Sequence, residues 1–294
     1  MDHPGFVVRK VAGRVVRAEF RGGVQLDYFS GAPVRFFGPG GPVKATVLGV
    51  RQTKPSPFIQ CRLEVARPAD LPAGTVGMWD FPPLRIAGRR LLSRACDDVV
   101  GAAAVLCAME ELAVGTLPCD VTALLTRGEE AGFIGALGAC ETRTLHKDSL
   151  VVAIETSKAQ PGGPMGSGMV VRVGDKTRTF DPSLTAHISA VAAALARQDD
   201  KFRFTRQLMA GGTTEATAYL MYGYTAAALC LPMANYHNMG PHGKIAAEQV
   251  NLDDFENLVK LLTALGTDKG RLAETDEKLR HRLRDLFQSL GGYL

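Results

Sequence analysis

The chain has 294 residues, a hydrophobic content of 46%, a charged content of 22% and a formal net charge of +4. These values are ordinary for a globular protein with a large core, and no basic stripe with interleaved aromatic residues indicates nucleic-acid binding. No apolar run reaches the roughly 20 residues of a membrane span, and no signal peptide opens the chain. Six scattered cysteines without a CxxC pair indicate reduced core thiols. Composition therefore predicts a soluble, cytoplasmic α/β protein.

The first part of the chain has the texture of a β domain. Residues 1–7 form an Asp-His-Pro-Gly turn that leads into an apolar strand, and from residue 8 to residue 86 short alternating runs are separated by glycine and proline. This pattern predicts a small barrel or sandwich without a helix of its own. The predicted strands span residues 15–20, 24–28, 34–37, 44–50 and 58–65, and residues 77–81 close the block.

From residue 91 onward, predicted strands alternate with predicted helices, which favours a largely parallel sheet covered on both faces. The last helix is amphipathic, with a leucine stripe that we expect to pack on the body or on a partner subunit. The predicted helices span residues 97–115, 129–141, 182–196, 213–222, 252–265 and 271–290. The predicted strands span residues 119–126, 149–154, 168–173 and 225–230.

Acidic and imidazole side chains recur where these strands end or helices begin. Asp97 and Asp98 precede the first helix, Glu129 and Glu130 follow a predicted strand, and His237 follows the last one. Each has an ordinary structural explanation by itself, as a helix cap or a solvated turn. Glu155 also ends an apolar strand, so the whole set is expected at one edge of one sheet. Such side chains suit Zn²⁺, Co²⁺ or Mn²⁺, and a pair of ions needs a bridging carboxylate plus an unligated one as general base.

The ordered motifs ACDDVVG, TRGEEAGFIGA, VVAIETS, GGTTEA and NYHN resemble the glutamyl/deblocking aminopeptidases, the M42 family of dinuclear metallopeptidases within the zinc-peptidase clan. The resemblance covers nearly the whole chain. It implies a three-layer α/β sandwich with a mostly parallel mixed sheet (residues 1–7 and 87–294) and an inserted small β-barrel domain (residues 8–86).

The implied reaction is hydrolytic removal of the N-terminal residue of a peptide by a water molecule that two divalent metal ions activate. These ions would be zinc, cobalt or manganese. The resemblance also implies a homo-oligomer, from a dimer up to a dodecamer. Position by position, the resemblance implies that Asp97 bridges the two ions and that its neighbour Asp98 shapes the backbone without binding metal. Glu129 would be the general base, and Glu130 and His237 would bind one ion. Glu155 would bind the other ion, at a position where the family usually has aspartate. Gly212, Thr213 and Glu215 stand where the family commonly has Gly-Thr-Asp, at a weaker substrate-binding position.

One element of the family pattern does not fit. The family has an N-terminal His-x-Asp motif, and Asp2 matches its second-shell aspartate, so the ligand histidine would directly precede Met1. A structured first residue also suggests a start inside a domain. His3 is an alternative ligand, but it points the wrong way if the segment is a strand.

Two rival functions stay open. One is a carboxypeptidase or deacylase with the same metal core, and the other is a catalytically impaired homologue with a scaffold role. The absent histidine favours the second rival.

Overall fold

The computed structural model describes residues 4–52 and 56–290, so the roles predicted for Asp2 and His3 lie outside the described residues. The strands are β1 (Gly5–Ala12), β2 (Val15–Arg21), β3 (Pro33–Gly38), β4 (Gly41–Arg51), β5 (Ile59–Val65), β6 (Val76–Trp79), β7 (Arg85–Ala87), β8 (Arg90–Ser93), β9 (Leu150–Lys158), β10 (Met169–Gly174), β11 (Phe204–Leu208), β12 (Thr225–Ala234) and β13 (Glu248–Asn251). The α-helices are α1 (Val99–Val114), α2 (Ile134–Glu141), α3 (Pro182–Gln198), α4 (Glu215–Met221), α5 (Leu252–Thr267) and α6 (Leu272–Leu290).

The first six strands form a closed barrel in the order β1-β2-β5-β4-β3-β6, and a barrel is one of the two architectures, barrel or sandwich, that the sequence pattern predicted. Inward-facing side chains alternate along each strand, and the barrel interior is filled by aromatic rings that meet edge to face. Phe6 and Trp79 are buried with ring centroids 4.9 Å apart, and Phe20 packs 4.9 Å from Phe29. The predicted strand 24–28 is wrong, because Leu26–Tyr28 forms a 3₁₀ turn that closes on itself.

The second sheet has the order β11-β10-β12-β13-β8-β7, with β9 also paired to β12. It is mixed, as predicted, but it is not mostly parallel among the described ladders. Only the β10–β11 and β9–β12 pairs are parallel. The β7, β8 and β13 strands, which the sequence reading missed, add antiparallel neighbours.

The helices of the second region bury their apolar sides against this sheet. Val100 of α1, Ile188 of α3 and Leu258 of α5 share one cluster with the sheet core. Ala136 of α2 and Tyr219 of α4 belong to a separate cluster. None of the helices in the described part of the chain is long and apolar enough to cross a membrane.

Helix α6 contacts the body at its start, where the Ser183 hydroxyl donates to Asp276 at 2.8 Å. No residue of α6 is buried, and Leu283 and Phe287 of its apolar stripe stay exposed. The predicted packing on the body is therefore confirmed only for the first part of the helix, and packing on a partner subunit stays a prediction.

The strand predicted at residues 119–126 is wrong. This segment was expected to be a buried strand, but it belongs to none of the described strands, and Leu125 is 56% exposed. Apolar β-branched sequence creates strand propensity, but a strand forms only beside a hydrogen-bonding neighbour. In the described sheet, β9 pairs with β12 instead of with this segment.

The helix predicted at 129–141 is also interrupted. A 3₁₀ turn (Glu129–Ala131) is followed by Gly132 and Phe133 with φ of 98° and 59°, and α2 begins only after them. Left-handed backbone cannot continue a right-handed helix.

The cysteines depart from expectation too, because Cys107 and Cys119 are exposed whereas the other four are buried.

Candidate metal centre

The loop that carries Asp97 and Asp98 connects β8 to α1 and is held from two sides. Glu248 of β13 accepts the backbone N–H groups of Cys96 at 2.6 Å and of Asp97 at 3.2 Å. Asp98 accepts the Thr156 hydroxyl of β9 at 2.5 Å. The peptide bond between the two aspartates is cis. Two neighbouring strands thus fix the position of this acidic pair.

Glu129 and Glu130 lie in the 3₁₀ turn between Gly128 and Gly132. Both of these glycines have a positive φ. The turn is anchored behind them, where the Gly135 N–H donates to the Arg127 carbonyl at 2.8 Å. A side chain at Gly135 would lie 2.5 Å from the Arg127 nitrogen, so only glycine allows this close approach. The sequence Gly-Glu-Glu therefore presents two carboxylates on a tight, fixed turn.

His237 follows β12 in a loop with unusual backbone geometry. Asn235, His237 and Asn238 all have left-handed φ values between 53° and 62°. Such residues persist only where their surroundings hold them. The Asn235 side-chain amide donates to the Ala247 carbonyl at 2.7 Å, and the Tyr236 ring stacks on the imidazole with centroids 3.8 Å apart.

These three loops bring Asp97, Glu130 and His237 together, with one ligand atom from each within 4.8 Å of the others. The His237 Nε2 atom lies 3.2 Å from Glu130 Oε1 and 4.0 Å from Asp97 Oδ2. This is the convergence that the sequence predicted for three of the four proposed ligands. Glu155 is not part of it in the described structure.

The orientation of the imidazole shows that this cluster fits a cation. His237 Nδ1 lies 3.0 Å from the carbonyl oxygen of Gly23, in the barrel. A carbonyl can only accept, so Nδ1 carries the hydrogen, and in the neutral ring Nε2 presents its lone pair to two carboxylates. Nε2 is buried, and the Glu130 carboxylate lies beside it at 3.2 Å. A lone pair facing two carboxylates needs a proton or a metal ion between them.

Without a metal, a proton takes that place. Burial alone would lower the pKa of His237, but the neighbouring Glu130 carboxylate outweighs burial and raises it. Metal ions and protons compete for such a nitrogen. The same geometry therefore serves as a ligand site when the ring is neutral.

The surroundings of the cluster are strongly acidic. Burial is the main cause of raised pKa values there, and repulsion between the carboxylates adds to it. The affected acids are Asp97 and Glu155, both raised well above their usual range, Asp98 (about 8), Glu129 (about 7), Glu248 (about 7) and Glu215. Crowded carboxylates hold protons only until a cation replaces them, so the site favours divalent ions.

Glu155 lies at the far side of this acidic group. Its side chain is 13% exposed, and its Oε2 lies 4.0 Å from Nη1 of Arg172, which is itself 3% exposed. Arg172 carried no functional signal in the sequence, because it lies within the apolar strand GMVVRV.

The motif GGTTEA lies beside the centre, and its members have different contacts. Glu215 accepts the Thr126 hydroxyl at 2.7 Å and adds to the electrostatic environment of Glu129. Thr213 instead contacts the Thr177 hydroxyl, and Gly212 accepts a backbone hydrogen bond from Lys176.

Three further residues with a role in the site were missed by sequence reasoning. Glu248 holds the Asp97 loop, Asp175 accepts the Thr214 N–H and the Thr217 hydroxyl next to Glu215, and Gly23 orients His237. Glu248 is the first residue of the short, mostly polar strand β13 (EQVN), so no apolar run singled it out in the sequence. The contact of Gly23 is made by its backbone, so its side-chain identity carried no signal.

A cavity of about 410 Å³ lies elsewhere and includes none of the predicted site residues. It is lined by Cys140, Arg143, Leu145, Lys147, Tyr222 and Tyr224.

The sequence model described as M42 glutamyl aminopeptidase matches residues 1–261 of this chain. The chain belongs to the M42 glutamyl aminopeptidase family. Members of this family are aminopeptidases, which are hydrolases that act on peptide bonds.

Solved structures agree at the level of the fold. A TET aminopeptidase from the marine sediment archaeon Thaumarchaeota archaeon SCGC AB-539-E09 is 19% identical, with a TM-score of 0.72 over 94% of this chain and 81% of that one. The Pyrococcus horikoshii TET1 peptidase, which can assemble into a tetrahedron or a large octahedral shell, is 18% identical, with a TM-score of 0.72 over 91% and 82%. Aminopeptidase APDkam598 from Desulfurococcus kamchatkensis is 19% identical, with a TM-score of 0.69 over 90% and 77%.

Proposed function

We propose that this chain is a metal-dependent aminopeptidase that removes N-terminal residues from peptides. The observation that carries the proposal is the buried lone pair of His237, which faces Asp97 and Glu130 in a member of an aminopeptidase family. Asp97, Glu130 and His237 would hold a divalent ion such as zinc, cobalt or manganese. When bound, such an ion polarises the scissile carbonyl and makes a water nucleophilic at neutral pH.

Glu129 is the general base of this proposal. It is adjacent to Glu130 on the turn, lies outside the three-residue cluster and is half-buried. Burial, together with Glu130 and Glu215, raises its pKa to about 7, which lets a carboxyl group take and return a proton near neutral pH. Glu129 would accept the proton of the attacking water and deliver it to the leaving amine.

The charge of the site favours an aminopeptidase over a carboxypeptidase. A peptide approaching with its N-terminus presents an ammonium group to crowded acids such as Glu129, Glu155 and Glu215. A C-terminal carboxylate would be repelled by the same acids.

Asp98 would not bind the ion, because its Oδ1 accepts the Thr156 hydroxyl and it holds the loop in place.

A second ion bridged by Asp97 and bound by Glu155 stays a prediction of the family resemblance, as does the three-layer arrangement of the fold. Support for the second ion comes from the electrostatic influence of Glu155 on Asp97. The Arg172 contact speaks against it.

We also propose a homo-oligomer. The solved relatives include a dodecamer and a protein that can form a tetrahedron or an octahedral shell. In this chain, the barrel exposes Leu26, Phe37, Leu48 and Val76, which an interface would cover. An enclosed site would admit short peptides. Light scattering after size exclusion tests the assembly: a single mass of one chain would refute it.

The cytoplasmic location predicted from cysteine usage stays a prediction, supported by six free thiols.

The experiment that tests the function is hydrolysis of a panel of aminoacyl, N-acyl and C-terminal amide substrates before and after chelation. We expect cleavage of free N-terminal aminoacyl substrates, loss of it with chelator and recovery with Zn²⁺ or Co²⁺. Cleavage of only N-acyl or C-terminal substrates would favour the carboxypeptidase or deacylase rival. Metal binding without any hydrolysis would favour the scaffold rival.

A further inference from the structure

The two ends of the acidic site differ in the groups that lie beside their carboxylates. At one end, Asp97, Glu130 and the imidazole of His237 bring three possible ligand atoms within 4.8 Å of one another. At the other end, Glu155 has a cationic side chain, the guanidinium of Arg172, within 4.0 Å. From this difference, and resting on the function proposed above, we propose that the chain binds a single divalent ion and that Arg172 takes the place of a second one.

The strands place Arg172 and Glu155 on the same face of the sheet. Arg172 of β10 is opposite Ala228 of β12, and Glu155 of β9 is opposite Cys230 of β12. Ala228 and Cys230 are two residues apart on β12, and residues two apart on a strand point to the same face of the sheet. Their partners Arg172 and Glu155 therefore lie on one face, on either side of the same stretch of β12. Alanine and cysteine are small there and leave room for the side chains to meet. Glutamate is one methylene longer than the aspartate expected from the family pattern, and so reaches farther toward Arg172.

Arg172 is fixed in this position. Its Nη1 donates to the Ser157 hydroxyl and its Nη2 to the Met209 carbonyl, each at 3.2 Å, whereas its Nε is buried without a hydrogen-bond partner. Arginine stays charged in proteins, so this positive charge cannot be removed by deprotonation. A buried guanidinium needs an anion nearby, and Glu155 is its ion-pair partner among the described residues.

A second divalent ion does not fit here. It would meet twice the repulsion from Arg172 that a monovalent cation would meet, at a site where little water screens it. It would also need about four ligands. Among the described histidines, only His237 belongs to the centre: His187 pairs with Asp268 and Thr275, and His146, His242 and His281 are exposed. The group of three ligands found around His237 does not extend to Glu155.

The first test is metal stoichiometry. The full chain is saturated with Zn²⁺ or Co²⁺, freed of excess ion, and measured by plasma mass spectrometry. We expect one ion per chain in the wild type and in Glu155→Gln, and a loss of that ion in Glu130→Gln. Two ions per chain that fall to one in Glu155→Gln would overturn the inference while leaving the proposed function intact. No bound ion at all would overturn the proposed function, and the inference with it.

The second test separates charge balance from simple packing by thermal unfolding. Arg172→Met leaves Glu155 as an unpaired buried acid, so we expect a large fall in Tm. Adding Glu155→Gln removes that unpaired charge and should restore much of the loss. Arg206→Met, on the neighbouring strand β11 and exposed, is the control and should change Tm little, with or without Glu155→Gln. Purely additive effects of Arg172→Met and Glu155→Gln would contradict the assigned pair.

Discussion

The two halves of the acidic centre interact electrostatically, through Asp97 and Glu155, but have different neighbours. The His237 half consists of two carboxylates and an imidazole whose hydrogen is held by the barrel through Gly23. The Glu155 half contains an acid and the permanent cation of Arg172. The first half offers a group of possible metal ligands, and the second contains a cationic side chain on strand β10.

This difference shows that acid content alone does not define a metal site. Both halves contain buried acids with raised pKa values. Among the described contacts, the His237 half adds a buried imidazole nitrogen, and the Glu155 half adds the guanidinium of Arg172. The nature of the nearest partner, rather than the number of carboxylates, decides whether an ion is required.

The largest effect is expected from removing the imidazole. His237→Ala should abolish metal binding and peptidase activity, because a cluster of two carboxylates loses its only nitrogen ligand. Metal content and hydrolysis of an aminoacyl substrate measure both. His242→Ala, an exposed histidine five positions later in the same loop region, is the matched control and should retain both. A full metal complement in His237→Ala would place this residue outside the ligand set.

The next effect concerns proton transfer. Glu129→Gln should lower kcat by about 10²- to 10⁴-fold, the usual contribution of a general base. Metal content should stay close to that of the wild type, because Glu129 lies outside the ligand cluster. Asp120→Asn, an exposed acid upstream, serves as control. If the metal is lost instead, the roles of Glu129 and Glu130 are exchanged.

A smaller effect is expected at Glu248, which holds the loop of Asp97 without touching the ion. Glu248→Gln weakens the acceptor for two backbone N–H groups. We expect metal affinity to fall by roughly 10- to 100-fold, as for other residues that orient ligands. Titration with Co²⁺ and a chelator measures this shift. Unchanged affinity would show that the loop is held without Glu248.

The smallest effect on activity is expected at Asp175, which supports the backbone beside Glu215 and is not a member of the ligand cluster. Burial opposes ionisation of Asp175, but hydrogen bonds from Thr217, Arg178, Thr177 and Thr214 outweigh burial and lower its pKa. A lowered pKa means that the ionised form favours folding. This stabilisation is present above the ordinary aspartate pKa and is lost as pH falls through the lower value of the folded state.

Asp175→Asn should therefore cost about 1–3 kcal/mol of unfolding free energy at pH 7, the usual cost of unsatisfied buried donors. The difference from the wild type should shrink below about pH 4 as the wild type loses its carboxylate. Urea unfolding at several pH values measures this difference, with the exposed Asp148→Asn as control. A gap that stays constant with pH would mean that charge is not the cause.

Sequence alone reached the His237 half of the centre well. Strand ends and helix starts made Asp97 and His237 candidates, and the family resemblance selected Asp97, Glu130 and His237 as ligands. The β domain of residues 8–86 was equally visible, because glycine and proline separate its strands, although this pattern fits a barrel and a sandwich alike. These features depend on local patterns that each segment carries by itself.

The Glu155 half was less accessible, because its meaning depends on pairing between distant strands. Arg172 lies in an apolar run, and only the register of β10 and β9 on β12 brings it to Glu155. The segment 119–126 failed for a related reason, since a strand needs a neighbour that propensity does not supply.

The most direct test of the metal centre is an anomalous difference map from crystals of the zinc-loaded protein, collected at the zinc absorption edge. We expect one peak per chain, within about 2.0–2.2 Å of His237 Nε2 and of oxygen atoms of Asp97 and Glu130. No peak there, or a peak away from His237, would contradict a metal centre built on this imidazole.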